Sequence, residues 1–410
     1  MNKLSTNCYH KFLAKQISFC LLVLLTFVGP GALVQQLEAQ IEVLSTADTN
    51  NVAIAGEYAF AAAGSRGVVI VDLSGPTVEG FVSPPGFTGT IDDVSIDGDL
   101  LFTLDAAGAG GLSVFSIADP TQPTLLSGPF SVQVSPFAGV SAANGRVVVS
   151  GGTGLLSSRS YQADGTVGDL VQLTDLGIGQ PDVLVAEDGL TAFVSTDFSG
   201  FFDGQGFGIT VIDIDGPTIS ILDRVGIAGA GFSPGASSPA NFPIESAQSG
   251  DMLFVASGNG VTVFDTSNPS SLQTLAVIPL NTNPVNIDVA GDTLYVVGSS
   301  PTPTLTTIDI SVLGSPVVET TTLPPGSVPR GVAATDSSVV IADANLGVLV
   351  ESLLLLGDVN RDGEVNFFDI APFIEILSND GFQAEADIDQ NGAVNFLDIA
   401  PFIEILSATS

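Results

Sequence analysis

Val52-Ala-Ile-Ala-Gly-Glu-Tyr-Ala-Phe-Ala61, followed by Gly67-Val-Val-Ile-Val-Asp72, is the stretch whose reading decides the fold. Apolar residues alternate up to Gly56, a second apolar strand follows the turn, and a glycine leads into a third strand that ends at an acid. Period-2 alternation broken by Gly, Asp and Ser is the pattern of short antiparallel strands, and no sustained 3.6-residue stripe competes with it.

The same sentence is written again and again downstream. Val94-Ser-Ile-Asp-Gly-Asp-Leu-Leu-Phe-Thr103 leads to Gly111-Leu-Ser-Val-Phe-Ser-Ile117, and further units begin near Val140, Val183, Ile244, Val285 and Val332. Their first turns fall at Gly56, Gly98, Gly145, Gly189, Gly250, Gly291 and Asp336, spaced by 42, 47, 44, 61, 41 and 45 residues. Forty-odd residues hold four short strands, the period of a propeller blade, and seven such units fit one closed ring. A pair of β-sandwiches and an open solenoid are the competing arrangements. The expected closure pairs the strand at Ile41-Glu-Val-Leu-Ser45 with the last unit, around Leu346-Gly-Val-Leu-Val350. Val69-Ile-Val-Asp72 and Val211-Ile-Asp213 make the array similar to LVIVD-repeat propellers. That resemblance implies a fold and no particular reaction.

Two features of the array invite a functional reading. The 61-residue spacing marks extra Asp/Gly/Phe-rich and Ala/Gly/Ser/Pro-rich sequence near 197–243, in which Asp197 and Asp203 are candidate cation ligands and a solvated insertion is the plainer reading. Asp92, Asp93, Asp182, Glu245 and Arg330 stand at the starts of innermost strands, where a propeller channel gathers them. Such a cluster suits a metal, a polar ligand or paired-carboxylate hydrolysis, or simply a wet channel mouth.

The C-terminal segment changes character. Leu356 to Ser378 and Asp387 to Ser407 are two copies of one unit, offset by 29 residues. Each opens on a twelve-residue loop with oxygen ligands at positions 1, 3, 5, 7, 9 and 12 and glycine at 6, the spacing of a Ca²⁺ loop. The first set is Asp358, Asn360, Asp362, Glu364 (through its carbonyl), Asn366 and Asp369. The second is Asp387, Asp389, Asn391, Ala393 (carbonyl), Asn395 and Asp398. Two loops predict two ions. After each loop an apolar stripe, Ile370/Phe373/Ile374/Leu377 and Ile399/Phe402/Ile403/Leu406, predicts a helix. Pro372 and Pro401 require those helices to begin at the loop's end, because proline is tolerated in the first turn only.

This paired loop-helix unit, with no entering helix, resembles the type I dockerin domain. The resemblance implies Ca²⁺-dependent binding to a cohesin-like domain of a scaffold or cell-surface protein, through either of two near-identical faces. The chain departs from the cellulosomal pattern at the partner-reading positions. Loop positions 10 and 11 are Phe367, Phe368, Phe396 and Leu397 where small hydroxyl residues are usual, and the following helices carry Glu375 and Glu404 where basic or polar residues are usual. Phe368, Glu375, Leu397 and Glu404 are therefore the candidate partner-binding residues.

The first 39 residues have the layout of a secretory signal peptide: three lysines, an apolar run from Ile17 to Val28, a Gly-Pro break and a small-residue end at Ala39. An uncleaved anchor is the alternative. All three lysines, both cysteines and the one histidine lie in this segment, and the chain has no tryptophan. Beyond it, six arginines face 43 acids, a net charge of −37. Thiolate, imidazole and Schiff-base chemistry are thereby excluded from the remaining chain. So are a nucleic-acid partner and an anionic membrane surface, for want of a basic patch.

The expectations are thus a mainly β chain with a signal peptide over 1–39, a seven-bladed β-propeller over 40–355 and a small α-helical dockerin-like calcium module over 356–410. The leading function is a secreted, noncatalytic binding or display propeller, anchored through its calcium module to a cohesin-type or cell-surface partner and presenting a face to a polysaccharide or protein. An extracellular carbohydrate-active hydrolase or lyase, and a structural matrix component, are the alternatives.

Overall fold

The structure is a computed structural model, and it describes residues 41–408 apart from 47, 106–110, 133–138, 152–154, 175, 177–181, 198–206, 228–244, 259, 354–355, 361–364, 380 and 390–392. The leader expected over 1–39 lies outside the described residues. No helix among the described residues is long and apolar enough to cross a membrane.

Among the described residues, twenty-eight strands form seven four-stranded antiparallel sheets, blades 1 to 7 in chain order. Within blades 1 to 6 the strands run in simple sequence, innermost first. Blade 7 is built differently: its three C-terminal strands take Ile41–Leu44 as the fourth and outermost, with Ile41 opposite Glu351 and Leu44 opposite Val348. The N-terminal strand therefore closes the ring as its sequence position implied, and it covers an edge that would otherwise pair with another chain. Thr49, fully buried, reinforces the closure by donating to the carbonyls of Gly347 at 2.7 Å and Asp343 at 3.1 Å.

The hairpin between the first two strands of a blade turns through a glycine in six blades, with φ from 53° to 58° at Gly56, Gly98, Gly250 and Gly291. A side chain at such a φ crowds its own backbone, which is why glycine recurs there. Blade 7 manages without one, since the Thr335 hydroxyl accepts from the N–H of Ser337 and Ser338 and holds the turn.

Second strands are the most buried, and an aromatic recurs at their third position: Phe60, Phe102, Phe193, Phe254 and Tyr295. The four phenylalanines each pack between their own blade and a neighbour, and burying a ring of that size contributes roughly 1.5–3 kcal/mol. Apolar clusters accordingly span the junctions of blades 7 and 1, 1 and 2, 2 and 3, 3 and 4, 4 and 5, and 5 and 6. Outermost strands face water, Val317–Thr322 along its whole length.

From Ser352 onward the C-terminal residues belong to a separate compact unit. It holds helix α1, Ile370–Ser378, and helix α2, Ile399–Ala408. Pro372 and Pro401 each occupy the third helical position, within the first turn as their chemistry demands.

Candidate functional site

Each C-terminal loop is organised by its last acid. Asp369 and Asp398 are completely buried, and each carboxylate takes two backbone N–H donors from its own loop. Asp369 accepts from Asn360 at 2.9 Å and Asn366 at 2.8 Å; Asp398 accepts from Asp389 at 3.0 Å and Asn395 at 2.7 Å. Position 12 thus ties positions 3 and 9 together before any ion is considered, and aspartate is short enough to do so. Asn366 caps the following turn by accepting from the Phe368 N–H at 2.8 Å, and Asn395 does the same for Leu397 at 2.9 Å. These two candidate ligands therefore also cap the turns that lead into the helices.

In the second loop, Asp387, Asp389 and Asp398 bring carboxylate oxygens within 4.8 Å of one another, with Asp387 and Asp398 buried and Asp389 exposed. Three carboxylates so close repel strongly unless a cation lies among them. The donor set, all hard oxygen, fits a divalent Ca²⁺-type ion. The Ala393 carbonyl, predicted at position 7, accepts from Asn395 Nδ2 at 2.9 Å. In the first loop Asp358 is likewise buried. Asp362, Glu364 and Asn391 lie outside the described residues.

The two halves meet through equivalent residues. Phe373 of α1 stacks on Phe402 of α2, with centroids 4.2 Å apart and planes at 16°, over a core of Val359, Val365, Ile388, Val394 and Leu406. Identical positions can pack on each other only about a near-two-fold axis. The segment between the helices adds a link that the sequence did not advertise. Gln383 Nε2 donates to the Val359 carbonyl at 2.8 Å, and Gly357 N–H donates to the Glu385 carbonyl at 2.8 Å.

Four large apolar side chains remain uncovered in this unit at the two loop ends: Phe367, Phe368, Phe396 and Leu397 are 56, 76, 58 and 67% exposed. Phe368 and Leu397, expected to be free of the helix core, are so. Glu375 and Glu404 are exposed at matching positions of α1 and α2.

In the propeller, the first strands of the seven blades contact their neighbours all the way round, blade 7 to blade 1 included, and line a central channel. At one register, Asn51, Asp93, Gly139, Asp182, Glu245, Asn286 and Gly331 follow one another from blade to blade. Three of the five expected charges, Asp93, Asp182 and Glu245, are thus brought together. Asp92 and Arg330 stand one residue earlier; Asp92 accepts from Thr90 and Asn50, and Arg330 is exposed. The grouping of five was too broad because adjacent strand residues point to opposite sides.

The ring residues join blades. Asp93 accepts from Val140 N–H of blade 3 at 2.6 Å and from the Asn51 amide of blade 1. Asp182 accepts from Ser246 N–H of blade 5 at 3.2 Å, and Asn286 from Val332 N–H of blade 7 at 3.2 Å. Two residues further along, Ser95, Ser141 and Asp288 repeat the pattern to Ala142, Val185 and Ala334 at 3.0, 2.9 and 2.8 Å. Burial pushes Asp93 up to about 7 and Asp182 and Asp288 up to about 6, against the opposing pull of their hydrogen bonds. Glu245 is held well above the carboxylate range by burial and by Asp182 and Asp93, and it is hydrogen-bonded to Asp182. Asp197, whose backbone ends a strand of blade 4, has its side chain outside the described residues, and Asp203 lies outside them altogether.

Fold and site define a class: a β-propeller followed by a compact calcium-loop docking module. The comparisons with known proteins make it specific. Residues 356–407 match the dockerin type I domain, and residues 47–83 and 247–276 match the LVIVD repeat. The chain thus carries a dockerin type I domain behind LVIVD repeats, and dockerins bind calcium and attach to cohesin partners. Among solved structures, the computationally designed Ika8 protein is 14% identical with a TM-score of 0.50, covering 74% of this chain and 83% of its own. A chain of the mitotic checkpoint complex is 8% identical with a TM-score of 0.55, covering 80% and 98%. Likeness at such identity concerns the fold alone. A search of curated proteins found no match.

Proposed function

We propose that this is an extracellular, noncatalytic binding or display propeller, fixed through its dockerin domain to a cohesin-type or cell-surface partner, with two Ca²⁺ ions per chain. The observation that carries the reading is the pair of exposed apolar steps, Phe367–Phe368 and Phe396–Leu397, standing at equivalent loop ends above calcium-type loops. Asp358, Asn360, Asp362, the Glu364 carbonyl, Asn366 and Asp369 would hold one ion. Asp387, Asp389, Asn391, the Ala393 carbonyl, Asn395 and Asp398 would hold the other. The ions supply charge neutralisation that a module of this size needs to complete its fold.

Partner recognition then rests on Phe368 and Leu397 as anchors, with Glu375 and Glu404 beside them. A buried aromatic anchor is commonly worth on the order of 2 kcal/mol or more. Because either face serves, Phe368→Ala or Leu397→Ala alone is expected to retain most Ca²⁺-dependent capture of the partner from the native secretome, and the double variant to lose it. Loss on either single change rules out two equivalent faces, and capture indifferent to the double variant and to chelation overturns the assignment. For the propeller, a polysaccharide or protein ligand is the reading in view. The Asp182–Glu245 pair is in direct hydrogen-bond contact, whereas glycosidic hydrolysis uses carboxylates roughly 5–9.5 Å apart. That contact favours binding over hydrolysis at this pair.

A further inference from the structure

We propose that the channel ring is a proton-loaded clasp: Glu245 and Asp182 hold one proton between them across the junction of blades 4 and 5, and its loss loosens the propeller there in neutral to alkaline medium.

The geometry assigns the roles. Both oxygens of Asp93 accept N–H donors, from Val94 and Asn51 on one and Val140 on the other, so its hydrogen bonds are filled without Glu245. Asp182 Oδ2 accepts both the N–H and the hydroxyl of Ser246, at 3.2 and 3.1 Å. Glu245 has Asp182 as its hydrogen-bond partner and feels the charge of both Asp182 and Asp93. Two carboxylates in direct contact need a proton to bond rather than repel. Around them stand the amides Asn51 and Asn286, and Asp288 two residues beyond Asn286. Arg330, one residue before the ring register, is exposed. Segments 133–138, 177–181 and 228–244, which precede three of these strands, contain no ionisable residue in sequence.

The direction follows from linkage. A carboxyl that keeps its proton more tightly folded than unfolded contributes stability fully below the ordinary carboxylate range and loses it as pH rises through its folded value. Asp182 at about 6 and Asp93 at about 7, with Glu245 raised beside them, place that loss across pH 5 to 8. Ordinary surface carboxylates have finished ionising by then, near pH 5, so the chain's general acidity does not imitate the effect.

The chain lacks tryptophan, and its tyrosines beyond residue 40 are Tyr58, Tyr161 and Tyr295, all in the propeller. Dichroism melting of the full chain in saturating Ca²⁺, followed in the near-ultraviolet tyrosine band and not in the phenylalanine band, therefore reads the propeller. The midpoint is expected to fall by several degrees from pH 5 to pH 8. Glu245→Gln, a neutral donor to Asp182 at every pH, is expected to raise the pH 8 midpoint and flatten the fall. Asp182→Asn is expected to flatten it as well, should the first variant fold poorly. A wild-type midpoint that is constant or rises with pH overturns the clasp, and so does a fall that neither substitution makes shallower.

Discussion

At the scale of single residues, the two buried aspartates that end the calcium loops do more than spacing alone reveals. The sequence places Asp369 and Asp398 at position 12 as ligands; the fold also makes each the acceptor that pins positions 3 and 9 of its loop. Removing such a side chain leaves two N–H donors unsatisfied, each costing about 1–3 kcal/mol. Asp398→Ala is accordingly expected to weaken Ca²⁺ binding in the second loop and to lower helicity even at saturating ion, whereas Asp389→Ala, which removes an exposed proposed ligand, is expected to lower affinity alone. Far-ultraviolet dichroism during a Ca²⁺ titration separates the two. In the propeller, Phe254 is fully buried between blades, so Phe254→Ala is expected to cost about 3–5 kcal/mol and to lower the melting midpoint. The channel ring shows where reading residues one at a time fails. Asp93, Asp182 and Glu245 were visible as charges before apolar strands. Their role as inter-blade acceptors was not, since it depends on the register between blades and on Asn51, Asn286 and two glycines that carry no charge at all.

At the scale of elements, repetition made most of the fold legible. The turn spacing in sequence and the alternation on either side of each glycine specify four strands per unit, and seven sheets of four strands result. The helices were equally plain, because the stripes ending in Leu377 and Leu406 repeat at helical spacing and the prolines fix where each helix begins. The link through Gln383 and Glu385 left no such mark, for single hydrogen bonds from irregular chain have no period to betray them. Closure by Ile41–Leu44 rests on one short strand pairing with Gly347–Ser352. Deleting residues 41–48 would open an edge on blade 7 and take away Thr49's neighbours, so the shortened chain is expected to melt earlier or to aggregate by edge pairing. Light scattering during the melt distinguishes these outcomes, and unchanged melting would argue against the closure.

At the scale of the whole molecule, a strongly acidic chain combines a rigid seven-bladed ring with a small domain whose fold gathers carboxylates. The ring supplies a scaffold held by its own apolar junctions; the domain concentrates negative charge that only cations balance. On the proposed reading, calcium is the quantity on which attachment depends, and the exposed Phe368 and Leu397 are the proposed anchors. The most direct test is calorimetric titration of the full chain with Ca²⁺, alongside Asp358→Ala, Asp387→Ala and the double variant. Two ions are predicted for the parent chain, one for each single variant and none for the pair; binding left intact in the double variant, or absent from the parent chain, would contradict the account.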